Sequence, residues 1–132
     1  MKEIAVVAAI LKYEDEILCM QKGEVKFAYM SYKYEFPGGK IEPSETPEIA
    51  LQRELKEELA INVMVHTEDF FMEVDYTYPD FRIKMKTYLC PVTDKNFVMK
   101  EHFAFKWLPK EQLAQLAWAE ADKAIVKKLA EG

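Results

Sequence analysis

The sequence predicts an α+β domain in which a mixed β-sheet is flanked by helices, an α/β/α sandwich. Three observations carry this: strand-like apolar runs lie on both sides of a central helical segment, an amphipathic helix closes the chain, and no linker, repeat or low-complexity tract interrupts them. With 132 residues, 50% hydrophobic and 31% charged, the composition is that of one globular domain spanning residues 1–132.

Taken in order, "IAVVAAIL" (4–11) and "ILCM" (17–20) are apolar runs around the charged turn "KYEDE", the pattern of a buried hairpin. Residues 21–33 lack periodicity and read as a loop, leading into a short strand "YEF" that Pro37-Gly38-Gly39 terminates. The two glycines allow backbone conformations closed to other residues and a close approach to a ligand. Thr46 is a good N-cap, Pro47 suits the first helical position and Glu48 complements the dipole, so a helix is expected over about 47–59. Two strands rich in aromatic and β-branched residues follow, "FFMEVDYTYP" and "RIKMKTYLCPV", joined across Pro79-Asp80. "FAFKWL" is a further strand, Pro109 opens a helical turn through Leu113, and Ala121, Ile125, Val126 and Leu129 mark the closing helix.

Composition excludes some classes of function. A net charge of -5 offers no basic face for a nucleic-acid polymer. The longest N-terminal apolar run is too short to span a membrane and no cleavage site follows it, so neither a membrane partner nor export is expected. Cys19 and Cys90 stand among apolar residues as small buried thiols, which fits a reducing cytoplasmic setting. His66 and His102 show no ligand spacing with each other or with cysteine and receive no chemistry.

The central helix is the candidate for chemistry. At about 100° per residue, Leu51, Leu55 and Leu59 form an apolar stripe, and Glu58, Glu54 and Glu57 follow along one edge of it. Like charges at these spacings destabilise a helix by roughly 0.2–0.5 kcal/mol per pair. Acids set beside the stripe are partly shielded from water and need a partner. A divalent cation such as Mg²⁺ bridging carboxylates to phosphate oxygens would offset the repulsion; pairing with Arg53, Lys56 and water is the alternative.

From Gly39 onward the chain resembles the Nudix box, GX5EX7REUXEEXGU with U a bulky aliphatic residue: Gly39, Glu45, Arg53, Glu54, Leu55, Glu57, Glu58 and Ile61 match in register. Ala60 departs from the usual glycine, at a cost of about 1–2 kcal/mol if the helix ends in a left-handed turn. The resemblance extends over nearly the whole chain and is strongest to MutT-like members. It implies a Nudix α/β/α sandwich that hydrolyses a nucleoside triphosphate to the monophosphate and pyrophosphate. It also implies Mg²⁺, or Mn²⁺ in its place, on Glu54, Glu57 and Glu58 with a backbone carbonyl of Gly38 or Gly39. Arg53 and Glu45 would pair to orient helix and loop, and Glu101 would serve as a further metal ligand or as the base.

For the substrate, the same resemblance offers Lys22, together with Lys33, as phosphate-binding cations, and Asp122 as the group facing the base. Phe36 is the preferred stacking residue, with Tyr34, Tyr78 and Phe81 as other aromatic candidates; Arg82 is undecided. An ionised Asp122 only accepts hydrogen bonds and suits the amine of cytosine, making CTP, dCTP or a 5-modified dCTP the first expectation. A protonated Asp122 would suit 8-oxo-dGTP, and a cap for the last helix is its structural alternative. Hydrolysis of ADP-ribose or a nucleotide sugar, and a catalytically silent nucleotide-binding module, are the competing readings. The expected partner is a small nucleotide, with the protein a monomer or homodimer.

Overall fold

The computed structural model describes all of residues 1–132. Seven strands form one mixed sheet: β1 (Lys2–Tyr13), β2 (Glu16–Gln21), β3 (Tyr34–Glu35), β4 (Gly38–Lys40), β5 (Phe70–Thr77), β6 (Phe81–Pro91) and β7 (Ala104–Pro109). The order is β3-β2-β1-β6-β5, with β4 also on β1 and β7 on β2. The central pair is parallel, from Lys2 opposite Phe81 to Lys12 opposite Pro91, while β2, β4, β5 and β7 pair antiparallel.

Alternation along β1 builds two cores. Val7, Ala9 and Leu11 pack with Leu18, Met20 and the stripe Leu51, Leu55 and Leu59 of helix α1 (Pro47–Leu59). Ala8 and Ile10 point to the other face and pack with Ile17, Trp118 and the Ile125, Val126 and Leu129 of helix α2 (Lys123–Glu131). The sheet is therefore covered on both sides, as a near-continuous apolar strand requires. The three α1 leucines are fully buried, each worth about 1.5–3 kcal/mol in area removed from water.

Five local expectations change. Both strands of the first hairpin run into the charged turn, because Lys12 pairs with Ile17 and Tyr13 with Glu16, leaving Glu14 and Asp15 as the turn. The loop 21–33 contains a 3-10 turn, Ala28–Met30. Pro37-Gly38-Gly39 does not end sheet structure: Gly38 to Lys40 pair with Ala8 to Val6 as β4. No glycine has a positive φ, so the glycines serve close packing and not a forbidden backbone conformation. Finally, the last helix is preceded by a separate 3-10 turn, Glu120–Asp122, and Asp122 makes no side-chain cap.

Candidate active site

Helix α1 starts where the sequence places it, with the Thr46 hydroxyl accepting from the Ile49 amide at 3.2 Å and Pro47 in the first turn. It ends on Ala60 at φ 57 and ψ 36, a left-handed cap in an alanine. Between these ends Arg53 gathers the acids. Its Nε and one terminal nitrogen donate to the two Glu45 oxygens at 2.7 and 2.9 Å, and that same nitrogen donates to the Lys40 carbonyl at 3.0 Å. The other terminal nitrogen donates to Glu54 at 3.0 Å and Glu57 at 3.2 Å. This forked pairing ties the loop before α1 to the helix and holds the Glu45 carboxyl down to about pKa 2, with the Glu42 amide assisting.

Arg53 does not reach Glu58. That side chain is 9% exposed, and its Oε2 is buried with no hydrogen-bond partner. Burial, then the charges of Glu54, Glu35 and Glu101, push its pKa up to about 9. Glu54 is also raised, by burial first and with Glu57 and Glu101 adding, against the pull of Arg53. Glu57 is the open member, its side chain 59% exposed. No three acidic, histidine or cysteine side chains stand as a preformed cage, since Glu54 and Glu57 each turn an oxygen to Arg53. The donors nonetheless fit a hard divalent cation: they are carboxylate oxygens, and one is an orphaned buried acceptor.

The glycine pair fits between sheet and helix with no spare room. A Cβ on Gly38 would stand 1.9 Å from the Val7 carbonyl oxygen, and one on Gly39 would stand 2.3 Å from Glu54 Cδ. Both glycines, with Lys40, also border a cleft of about 250 Å³ that runs to Asp122, past Lys22, Glu35, Phe36, Tyr78 and Phe81. At its inner end Asp122 is 5% exposed and accepts from the Phe36 amide at 3.3 Å. Burial first, then Glu35, raises its pKa to about 8, against the Phe36 amide and Lys22. A larger cleft of about 590 Å³, between the chain after α1 and residues 91–97, contains none of the α1 acids.

Most of the expected residues converge. Glu45, Arg53, Glu54, Glu57 and Glu58 form one network, and Lys22, Phe36, Gly38, Gly39 and Asp122 line the cleft beside it. Glu101 is exposed in the segment before β7, close enough to act on Glu54 and Glu58. Lys33 is a departure: it does not line the cleft, and its backbone is held by Met30 and Lys22. Phe36 is 3% exposed with its ring stacked on Trp118 at 4.7 Å, so one face is already taken, whereas Tyr78 and Phe81 form an aromatic wall with Tyr29 and Phe27. Arg82 is engaged by Asp75 and Glu3 away from the cleft. Lys40, next to the glycine pair, and Glu35, three residues before it, also line the cleft and were not singled out from the sequence.

A carboxylate-bearing helix set against a glycine pair, beside a cleft with a cation, an aromatic wall and a buried acid, is suited to hydrolysing a phosphoanhydride. The family is shown directly: residues 1–129 match the NUDIX domain, and the chain belongs to the Nudix family as a MutT-like hydrolase. It is 30% identical over 129 residues to an 8-oxo-dGTP diphosphatase of Escherichia coli (strain K12), covering 98% of each chain. It is 32% identical over 127 residues to a CTP pyrophosphohydrolase of the same organism, covering 96% of this chain and 91% of that one. Among solved structures, the E. coli ORF135 protein superposes with a TM-score of 0.83 at 30% identity, over 99% of this chain and 91% of the other. No helix is long and apolar enough to cross a membrane.

Proposed function

We propose that this protein is a metal-dependent nucleoside triphosphate pyrophosphohydrolase that releases a nucleoside monophosphate and pyrophosphate. The observation that carries the reading is the continuity of the cleft, which leads from Asp122 to the Gly38-Gly39 pair packed on the Glu54 carboxyl. Glu54, Glu57, Glu58 and Glu101, with a carbonyl of Gly38 or Gly39, would hold Mg²⁺ or Mn²⁺. Such a cation supplies acidification of water and neutralisation of phosphate charge. Lys22 faces the cleft and supplies positive charge for the phosphates. If Glu101 is not itself a metal ligand, it would be the base that takes the proton of the attacking water as the water oxygen bonds to phosphorus and the anhydride bond breaks, with pyrophosphate leaving.

Cytosine nucleotides, CTP, dCTP or a 5-modified dCTP, are the first substrate reading. The cleft of about 250 Å³ is small against roughly 300–1,000 Å³ for ordinary ligand sites, which favours a one-ring base. A second reading, 8-oxo-dGTP, is favoured by the raised pKa of Asp122: a neutral acid donates as well as accepts, and so suits an edge with adjacent carbonyl and N–H groups. Both substrate classes occur among the relatives' names. The test is pyrophosphate release from CTP, dCTP, 5-hydroxy-dCTP, dGTP and 8-oxo-dGTP at equal concentration, with Mg²⁺ and with EDTA. Preference for the cytosine compounds supports the first reading and preference for 8-oxo-dGTP the second. Absence of metal-dependent turnover on all five rejects the proposed activity.

A further inference from the structure

The segment 98–103, which carries Glu101, is fastened at both ends. On one side the Val98 amide donates to the Leu59 carbonyl at 2.9 Å and the Lys100 amide to the Glu58 carbonyl at 3.3 Å. These are carbonyls of the last turn of α1, which the helix itself leaves free. On the other side the Phe103 amide donates to the Gln21 carbonyl at 2.8 Å, and the His102 side chain reaches Glu35 on β3, Nε2 to Oε2 at 2.9 Å. The His102 side chain is 5% exposed, and its Nδ1 is buried without any partner. The bond to Glu35 is thus the one polar contact that orients the ring. Glu35 is itself fixed, its other oxygen 3.3 Å from Lys22 Nζ.

We propose that His102 is a positioning residue: through its bond to Glu35 it holds the neighbouring Glu101 carboxylate toward Glu54 and Glu58, and so sets the affinity of the site for a divalent cation. The Lys100 amide bond to the Glu58 carbonyl at 3.3 Å seats the backbone next to Glu101 on the last turn of α1, and His102, on the other side of Glu101, is the residue whose side chain ties the same segment to β3. The Glu35 bond spans the chain from β3 to the segment before β7, so it fixes where that segment sits relative to the cleft. The inference rests on Glu101 belonging to the metal site.

The test is Mn²⁺ binding to the nucleotide-free protein, followed by the electron paramagnetic resonance signal of free Mn²⁺, with melting temperature recorded for each variant. His102→Leu keeps the volume and removes the bond; His102→Gln keeps a donor near Nε2. Loss of a partner bonded directly to a ligand commonly costs 10–100-fold in metal affinity, and His102 acts through the backbone of the next residue, so the lower end of that range applies. The expected result is about tenfold weaker Mn²⁺ binding for His102→Leu, substantial recovery in His102→Gln, and a Glu101→Gln/His102→Leu double variant no weaker than Glu101→Gln. Turnover should show the same pattern as a raised Mg²⁺ requirement with little change in nucleotide KM. If Glu101→Gln weakens Mn²⁺ binding and a folded His102→Leu binds within twofold of the parent, the positioning role is overturned and the role of Glu101 stands. If Glu101→Gln leaves Mn²⁺ binding unchanged, the role of Glu101 falls and this proposal with it. Should His102→Leu fail to fold, His102→Gln binding as weakly as Glu101→Gln would overturn the claim that the retained donor suffices.

Discussion

Gly39 and Glu54 occupy one another's space: a single added carbon at residue 39 would meet the Glu54 carboxyl carbon at 2.3 Å. The displaced group is the end of a flexible side chain, so Gly39→Ala should move the carboxylate more than it disturbs the fold. The neighbouring substitution differs in kind, because the Gly38 contact is to the Val7 backbone at 1.9 Å. Gly38→Ala should cost about 1–3 kcal/mol or more in stability. Gly39→Ala should instead keep a near-parental melting temperature and lose turnover by at least tenfold. Thermal melts and steady-state rates on the two variants check this contrast.

Glu58 predicts a pH dependence that metal reverses. Its folded pKa, about 9, lies above the ordinary 4.5, so between these values the folded protein keeps a proton that the unfolded chain has lost. Metal-free stability from this group therefore falls as pH rises from near 4.5 to about 9. Glu58→Gln should flatten that slope in EDTA and raise the melting temperature at pH 8. In Mg²⁺ the parent should gain stability with rising pH as the ionised carboxylate binds, and the variant should not. Turnover by Glu58→Gln should fall by at least a hundredfold.

Asp122 gives a second, separable slope. With its pKa raised from 3.8 to about 8, stability from this group declines over that interval as pH rises, by up to about 1.4 kcal/mol per pH unit. Asp122→Asn cannot ionise and should remove this component with or without metal. If base recognition uses the proton, kcat/KM for the preferred nucleotide should fall through about pH 8 in the parent and stay level in the variant. A pH–rate profile for both proteins reads this directly.

The left-handed end of α1 is a site for stabilisation. Ala60 sits at φ 57, where glycine carries no Cβ penalty. Ala60→Gly should raise stability by about 1 kcal/mol, seen in urea denaturation, with turnover unchanged because Ala60 contributes no side chain to the site.

Helix α1 was legible because its signals are local: Thr46, Pro47 and the leucine stripe lie within a few turns of one another, and the acids share that register. The two-sided burial of β1 was likewise implied by an unbroken apolar run. What could not be read depends on distant partners. His102 and Glu35 meet across 67 residues, with no spacing rule to announce it. Trp118 covers the Phe36 ring from a segment outside the sheet's strands, which turned an expected stacking face inward. β4 escaped because Pro-Gly-Gly is local punctuation, whereas its pairing with β1 is set by how closely Gly38 can approach Val7.

The parallel pairing of β1 with β6 also governs when the protein can form. Lys2 lies opposite Phe81 and Lys12 opposite Pro91, so the whole acidic helix belongs to the loop that this pairing closes. Contacts so distant in sequence must be gathered before they repay the entropy of closure, which makes such folds slow to assemble. In a chain emerging from the ribosome the leucines of α1 can settle on β1 and β2 early, but the core they belong to is not complete until β6 supplies Tyr88 and Cys90. The acidic helix is thus made early and becomes secure late, and substitutions that weaken β6 should lower the yield of active protein before they alter its rate constants.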